Sequence, residues 1–399
     1  MKSTLAYLNS NDGSSLLALG ETDRLIIDNA SDVDRIQSFV DEHAGNYIFL
    51  GLSYDLNTSF LDSESNNPEN MGLPLAFLWI PEIVAKIQEN ELLSIEQGQK
   101  TAKVESMIEA FFAKQDSDFT WNANVKARIS KEQYFKTLGA LRKEIQYGNI
   151  YEVNFCQEFY DDNFQMEDPE AAYFRLNNIT EAPFSAFFNF DEFRILSGSP
   201  ERFIKKLGPK LISQPIKGTR KRSADPVEDE RLKNELLHDP KERAENVMIV
   251  DLVRNDLSRL AQTSSVKVDE LFGVYSFNTV HQLISTVSCE IREDANFLDI
   301  LKATFPMGSM TGAPKRSAVS LIEEHESFQR GWYSGSIGYI APNGDFDLNV
   351  VIRSLIYNQK KKYLSCSVGG AITIQSDPEA EYEECNTKVK TILDRMHHG

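Results

Sequence analysis

Apolar positions along this chain follow two periods, and a helical one begins after Ser130. Tyr134, Leu138, Leu141 and Ile145 recur at helical spacing, Ser130 followed by Gln133 has the capping-box pattern, and Gly148 supplies a stop. An amphipathic helix is expected there. Tyr151 to Tyr160 then reads as extended, Phe184 to Phe190 and Phe193 to Ser197 flank an Asp191-Glu192 turn, and Phe203 to Lys206 precedes Gly208-Pro209 and another strand. These segments predict a meander of antiparallel strands. From Pro226 to Leu260 the pattern is helical, with Val250, Val253, Leu257 and Leu260 on one stripe. Strands are expected again over Trp332 to Ile340, Leu348 to Tyr357 and Tyr363 to Ile374, before a final helix from Pro378. The N-terminal part carries less pattern: Ser63 to Asn70 reads as an exposed loop and Gln97 to Thr120 as a charged connector. The class is α+β. No internal repeat and no GxxxxGK[ST] phosphate loop is present, so nucleotide chemistry has no support.

Composition narrows the functional classes. Apolar residues at 41% and charged residues at 26% are values of a soluble folded protein. Sixty acidic against 42 basic residues give a formal charge of −18, which repels nucleic acid and anionic membranes. An anionic substrate therefore needs local help from a metal cation or converging basic side chains. The polar start MKSTLAYLNSNDGSS develops no apolar signal region, and no later apolar run approaches bilayer length. Cys156, Cys289, Cys366 and Cys385 are scattered without a close pair, which suits a reducing cytoplasm.

Two acidic pairs share one offset, Glu242 with Glu245 and Glu381 with Glu384, and an i,i+3 spacing puts both carboxylates of a pair on one helix face. Two such faces opposed would make a hard-oxygen site suited to magnesium. On spacing alone a solvated face is the commoner reading. Lys217 in QPIKGTR is ordinarily an exposed lysine, but buried beside carboxylates it becomes a nucleophile or base. Glu201 in SGSPERF is either a surface carboxylate or a positioned general acid, and His281 either a satisfied core histidine or a catalytic one. In FPMGSMTGAPK, two glycines and a proline around Ser309, Thr311 and Lys315 make a tight loop able to offer backbone N–H groups to an anion. Arg353 interrupts the apolar strand NVVIRSLIY with a permanent charge that needs an anionic partner, a substrate or a structural glutamate. Gly369 and Gly370 allow close backbone approach, to a ligand or at a β-bulge.

Taken in order, GNIYEVNFCQ, SGSPERF, QPIKGTR, KERAENVMIVDLVRNDLSR, VHQLIST, FPMGSMTGAPK, YSGSIGY, the arginine strand and DPEAEYEE run from about Ser130 to Met396. This series resembles the chorismate-utilising enzymes, which include anthranilate, aminodeoxychorismate, isochorismate and salicylate synthases. The resemblance implies two packed, twisted antiparallel sheets flanked by helices, a four-layer sandwich of the anthranilate synthase component I type, with the site between the sheets. Residues 1–125 would then form an N-terminal portion of the sandwich and 126–399 the chorismate-binding catalytic core. It implies that Glu245 and Glu384 hold magnesium directly and Glu242 and Glu381 through water. Gly218, Thr219, Ser309, Tyr333, Arg353 and the turn Gly369, Gly370 and Ala371 would bind substrate, with His281 as the family's active-site histidine.

Two positions separate the family's branches. Water-using members resemble one another in a lysine where this chain has Glu152, and anthranilate synthases typically have alanine where it has Lys217. The lysine is similar to the branch that makes 4-amino-4-deoxychorismate, in which its amine attacks the ring ortho to the carboxylate as the hydroxyl leaves with a proton from Glu201. Ammonia then enters at the para position and expels the lysine. No Cys-His-Glu amidotransferase segment is recognisable, so a separate class I glutamine amidotransferase partner is implied, and a lyase would complete 4-aminobenzoate for folate. Ortho amination with pyruvate elimination, and a non-catalytic chorismate-binding module, are the alternatives. Glutamine is usual at Glu152 in the amine-using branch, and glycine at Ala371, where alanine would be strained if the backbone needed positive φ. No tryptophan-binding motif is found in the N-terminal part, whose one family element is FLGLSYDL.

Overall fold

Alternation along single strands sorts the apolar side chains into two cores. In Phe184–Phe190, Ala186, Phe188 and Phe190 enter one cluster and Phe187 the other; Ala6 and Tyr7, Ala18 and Leu17, and Val84 and Ala85 divide in the same way. The computed structural model describes residues 4–398 except Asp12, Ser14 and 62–64, so Ser63 and Glu64 of the expected loop lie outside it.

Among the described residues the strands form two antiparallel sheets. One has eleven strands, in the order Gly312–Ala313, Glu152–Asp161, Tyr363–Ile372, Ser354–Asn358, Phe193–Ser199, Phe184–Phe190, Leu5–Asn9, Ser15–Leu19, Ile83–Gln88 and Glu91–Gln97, with Lys126–Ala127 beside Glu152–Asp161. The other has ten, in the order Ile216–Lys221, Val280–Glu290, Lys210–Gln214, Arg202–Leu207, Phe346–Asn349, Ser336–Ile340, Ile48–Leu52, Ala76–Ile80 and Asp23–Ile27, with Lys267–Ser276 beside Val280–Glu290. Phe77 of the second stacks on Phe190 of the first at 4.2 Å, and Trp79 meets Phe188 edge-on, so these faces pack together. Helices Ala102–Phe112, Lys131–Gln146, Pro169–Thr180 and Pro378–His398 cover the outer face of the first sheet, while Arg35–Glu42, Pro240–Ser258 and Phe297–Thr304 pack against the second. This is the expected α+β sandwich. No described helix is long and apolar enough to cross a membrane.

The helix after Ser130 spans Lys131–Gln146, capped by a 3.2 Å bond from the Gln133 amide to the Ser130 hydroxyl and ended by Gly148 at φ +81°. Other expectations need correction. The meander is divided between sheets, because the chain crosses from one to the other at Pro200 and Glu201. Leu348 to Tyr357 is likewise two strands in different sheets, joined through 350–353; Arg353 takes φ +52°, which turns the chain out of one sheet and into the other. Gln97 to Thr120 is no mere connector: it holds the helix Ala102–Phe112, whose Val104, Ile108 and Phe111 are buried. Trp332 precedes its expected strand, which begins at Ser336, and fills space over Gly51, where a Cβ would lie 2.1 Å from the indole. That contact accounts for the glycine in FLGLSYDL.

Candidate active site

The two crossings between sheets lie side by side. Ser197 pairs with Ser354 in one sheet and Arg202 with Asn349 in the other, and the Val350 amide donates to the Glu201 carbonyl at 3.0 Å. Glu201 and Arg353 are thereby fixed at the seam where the sheets meet. Glu201 is buried, and burial pushes its carboxyl up to about 7 against the lowering pull of Ser309 and Lys217. Arg353 has no carboxylate within ion-pair distance among the described residues; burial lowers its guanidinium and Glu201 opposes this. A half-buried cation without a partner is suited to receive an anion.

Lys217 enters from the second sheet on Ile216–Lys221, and Glu152 from the first on Glu152–Asp161. Both are buried, and Lys217 Nζ donates to Glu152 Oε1 at 2.5 Å, so an ion pair bridges the sheets. Burial lowers the Lys217 ammonium, but Glu152, Glu245 and Glu201 together hold it above its ordinary value. Gly218 follows at φ +86°; a Cβ there would lie 2.9 Å from Leu236 and 3.0 Å from Glu242, so the lysine strand fits against the helix only as glycine.

Helix Pro240–Ser258 packs on the lysine strand and helix Pro378–His398 on Tyr363–Ile372. Their first two turns carry the two acidic pairs. Asp239 caps the first helix through the Lys241 and Glu242 amides, and Asp377 accepts from the Ala380 amide at the start of the second. The two faces meet across Lys241, whose Nζ lies 3.9 Å from Glu245 and 3.8 Å from Glu381. Glu245 and Glu381 are buried, and Glu245 Oε1 has no hydrogen-bond partner. Burial pushes the Glu245 carboxyl up to about 7, with Lys217 pulling it down and Glu152 adding to the rise. Glu242 is held up mainly by burial, against Arg220. Glu384 is exposed and bound to Lys388 at 2.8 Å, which holds its carboxyl below the usual range despite a desolvating surrounding. Among the described residues no three such groups already form a metal cage. An orphaned buried carboxylate oxygen among four acidic groups gathered on one lysine nevertheless fits a hard cation.

Gly369, Gly370 and Ala371 do not form a turn. They lie within Tyr363–Ile372, paired with Cys156, Phe155 and Asn154, and Ala371 has no positive φ, which removes the expected strain. Gly369 is needed there, since a Cβ would sit 2.5 Å from Asn154 and 2.6 Å from Cys156. Ser309 is buried against Glu201 and Thr219 is half-buried beside Lys217, whereas the buried Tyr333 hydroxyl turns to Cys156. His281 is not brought into this group: its ring nitrogens meet Ser276 at 2.8 Å and Asp229 at 3.0 Å. Lys315 is likewise taken up elsewhere, by Asp256 at 2.6 Å and the Thr304 carbonyl at 2.8 Å. Sequence reasoning missed Lys241 as the shared counterion and the Glu326–Arg330 pair beneath the site, although an i,i+4 carboxylate and arginine are a readable signal. A separate cavity of about 510 Å³, reaching Lys86, Arg202 and Tyr339, is lined by none of the expected site residues.

A family model described as chorismate binding enzyme matches residues 5–394. Aminodeoxychorismate synthase component 1 of Klebsiella aerogenes is 38% identical over 350 residues, covering 87% of this chain and 76% of that relative. Anthranilate synthase component 1 of Thermus thermophilus is 32% identical over 377 residues, covering 90% of this chain and 80% of the relative. In three dimensions, anthranilate synthase component I from Streptococcus pneumoniae matches with a TM-score of 0.81 at 23% identity, over 96% of this chain and 92% of that one. At that identity the likeness concerns the fold, the same two-sheet α+β architecture.

Proposed function

This chain belongs to the family of chorismate binding enzymes, and from that membership we propose that it aminates chorismate to 4-amino-4-deoxychorismate, with Lys217 as nucleophile and Glu201 as proton donor. The observation that carries this reading is the buried Lys217 amine at the seam of the two sheets, within electrostatic reach of Glu201 and Glu245. Para substitution with retention needs two displacements, and an amine held there supplies the first. The Lys217 nitrogen attacks the ring ortho to its carboxylate while the departing hydroxyl takes a proton from Glu201 and leaves as water. Ammonia then bonds at the para carbon and expels the lysine amine. A carboxyl held near 7 is protonated often enough at neutral pH to act as donor.

Arg353 is the unpaired cation for a substrate carboxylate, and Gly218, Thr219, Ser309, Tyr333, Gly369, Gly370 and Ala371 are the further substrate-binding residues of this reading. Magnesium would be held by Glu245 and Glu384 directly and by Glu242 and Glu381 through water; the orphaned Glu245 oxygen supports this assignment. The chemistry such an ion supplies when bound is neutralisation of the ring carboxylate and withdrawal of electron density as the hydroxyl departs. Ammonia comes from a separate class I glutamine amidotransferase subunit in a heterodimer, and the product serves 4-aminobenzoate and folate synthesis in the cytoplasm. The four cysteines, all free and buried, suit that compartment.

The Thermus relative keeps ortho amination as the second reading. Incubation with chorismate, magnesium and ammonium separates the two. An amino-dienyl product that a lyase converts to 4-aminobenzoate is expected; anthranilate formed without a lyase refutes the assignment.

A further inference from the structure

The surroundings of Glu152 give it work that an amide in its place could not do. Its side chain is 1% exposed, Oε1 lies 2.5 Å from Lys217 Nζ, and Oε2 has no partner. The backbone beneath it is clamped. Glu152 pairs with Ala313, the Tyr151 amide donates to the Ala313 carbonyl at 2.7 Å, and Gly312 comes so close that a Cβ would lie 2.2 Å from the Glu152 carbonyl oxygen. Glu245 and Glu201 also face the amine, and Glu384 feels it at longer range. Among the described residues only Glu152 hydrogen-bonds it.

We infer that Glu152 is the proton acceptor that frees the Lys217 amine for attack. This rests on the reading of Lys217 as nucleophile. The resting pair is ammonium and carboxylate; the proton moves along the hydrogen bond to Oε1, leaving a neutral amine whose electron pair forms the bond to the ring. When ammonia expels the lysine as a free amine, Glu152 returns the proton. The transfer turns two buried charges into two neutral groups, which a low-dielectric site tolerates well, and no proton crosses to solvent. A glutamine at this place would hold the lysine but accept nothing.

The test is the rate of covalent adduct formation on the full chain with magnesium and chorismate and without ammonia, read by intact mass from pH 6 to pH 9. Dividing the parent rate by the Glu152→Gln rate cancels the contribution of Glu201. The ratio is expected to be on the order of 10² near neutral pH and to shrink about tenfold per pH unit as solvent takes over the deprotonation. Glu152→Asp keeps an acceptor, so its ratio is expected to stay independent of pH; an Asp ratio that shrinks about tenfold per pH unit overturns the inference, which keeps the test decisive if the glutamine variant fails to fold. A pH-independent ratio for Glu152→Gln, or a variant faster than the parent, overturns the inference. If the parent forms no adduct yet makes product, the nucleophile reading fails first and takes this inference with it.

Discussion

Two buried ion pairs lie near each other in this molecule and are built in opposite ways. Arg330 and Glu326, each about 1% exposed, are bonded twice at 2.6 and 2.9 Å. Arg330 also donates to the carbonyls of Met310 and Asn154, and Glu326 accepts from the Cys156 amide at 2.8 Å. That network ties the loop before Thr311 to the strand that carries Glu152. Lys217 with Glu152 has one short bond, and nearby oxygens of Glu152 and Glu245 have none. A satisfied buried pair holds structure in place; buried charge left unsatisfied is retained for something that arrives from outside.

Breaking the open pair should cost chemistry. Lys217→Ala is expected to lower turnover by about 10⁴-fold or more, the scale of losing a covalent nucleophile, while circular dichroism remains that of the parent. Glu201→Gln should lower it by about 10³-fold. In the parent, the rate should fall as pH rises through about 7, because Glu201 donates only while protonated, and this limb should vanish in the variant. Breaking the closed pair should cost folding. Arg330→Met leaves Glu326 charged and alone, and denaturant titration is expected to show a loss of about 3 kcal/mol. Glu245→Gln should weaken magnesium binding by about tenfold in calorimetry while leaving the metal-free fold intact, since it removes a buried charge whose Oε1 accepts no hydrogen bond. The smallest effect belongs to Ala371→Gly: with Ala371 inside a strand and no positive φ to relieve, stability should change by less than about 1 kcal/mol.

The same contrast explains what the sequence made legible. The open site was readable because its residues are ill suited to their local pattern: Arg353 in an apolar run, Lys217 before a Gly-Thr pair, acidic pairs at one helical offset. The closed network escaped notice because Glu326 and Arg330 look like an ordinary surface pair on a helix end. NVVIRSLIY reads as one strand since apolar residues flank Arg353 on both sides, and only backbone geometry at Arg353 reveals the crossing. In the N-terminal part, Ile48–Leu52 and Ala76–Ile80 are buried at every position, so no alternation marks them. Val104, Ile108 and Phe111 were masked by Lys103, Glu105 and Glu109 between them. His281, which motif order marks for catalysis, has its ring nitrogens on Ser276 and Asp229, partners that no sequence pattern announces.

The central claim is that the Lys217 amine forms a bond to chorismate. Withholding ammonia, adding chorismate and magnesium, and mapping the modified peptide by mass spectrometry tests it directly. The expected result is an added mass of chorismate less one water, located on Lys217. An unmodified Lys217, together with para-aminated product formed at the parent rate by Lys217→Ala, would contradict it.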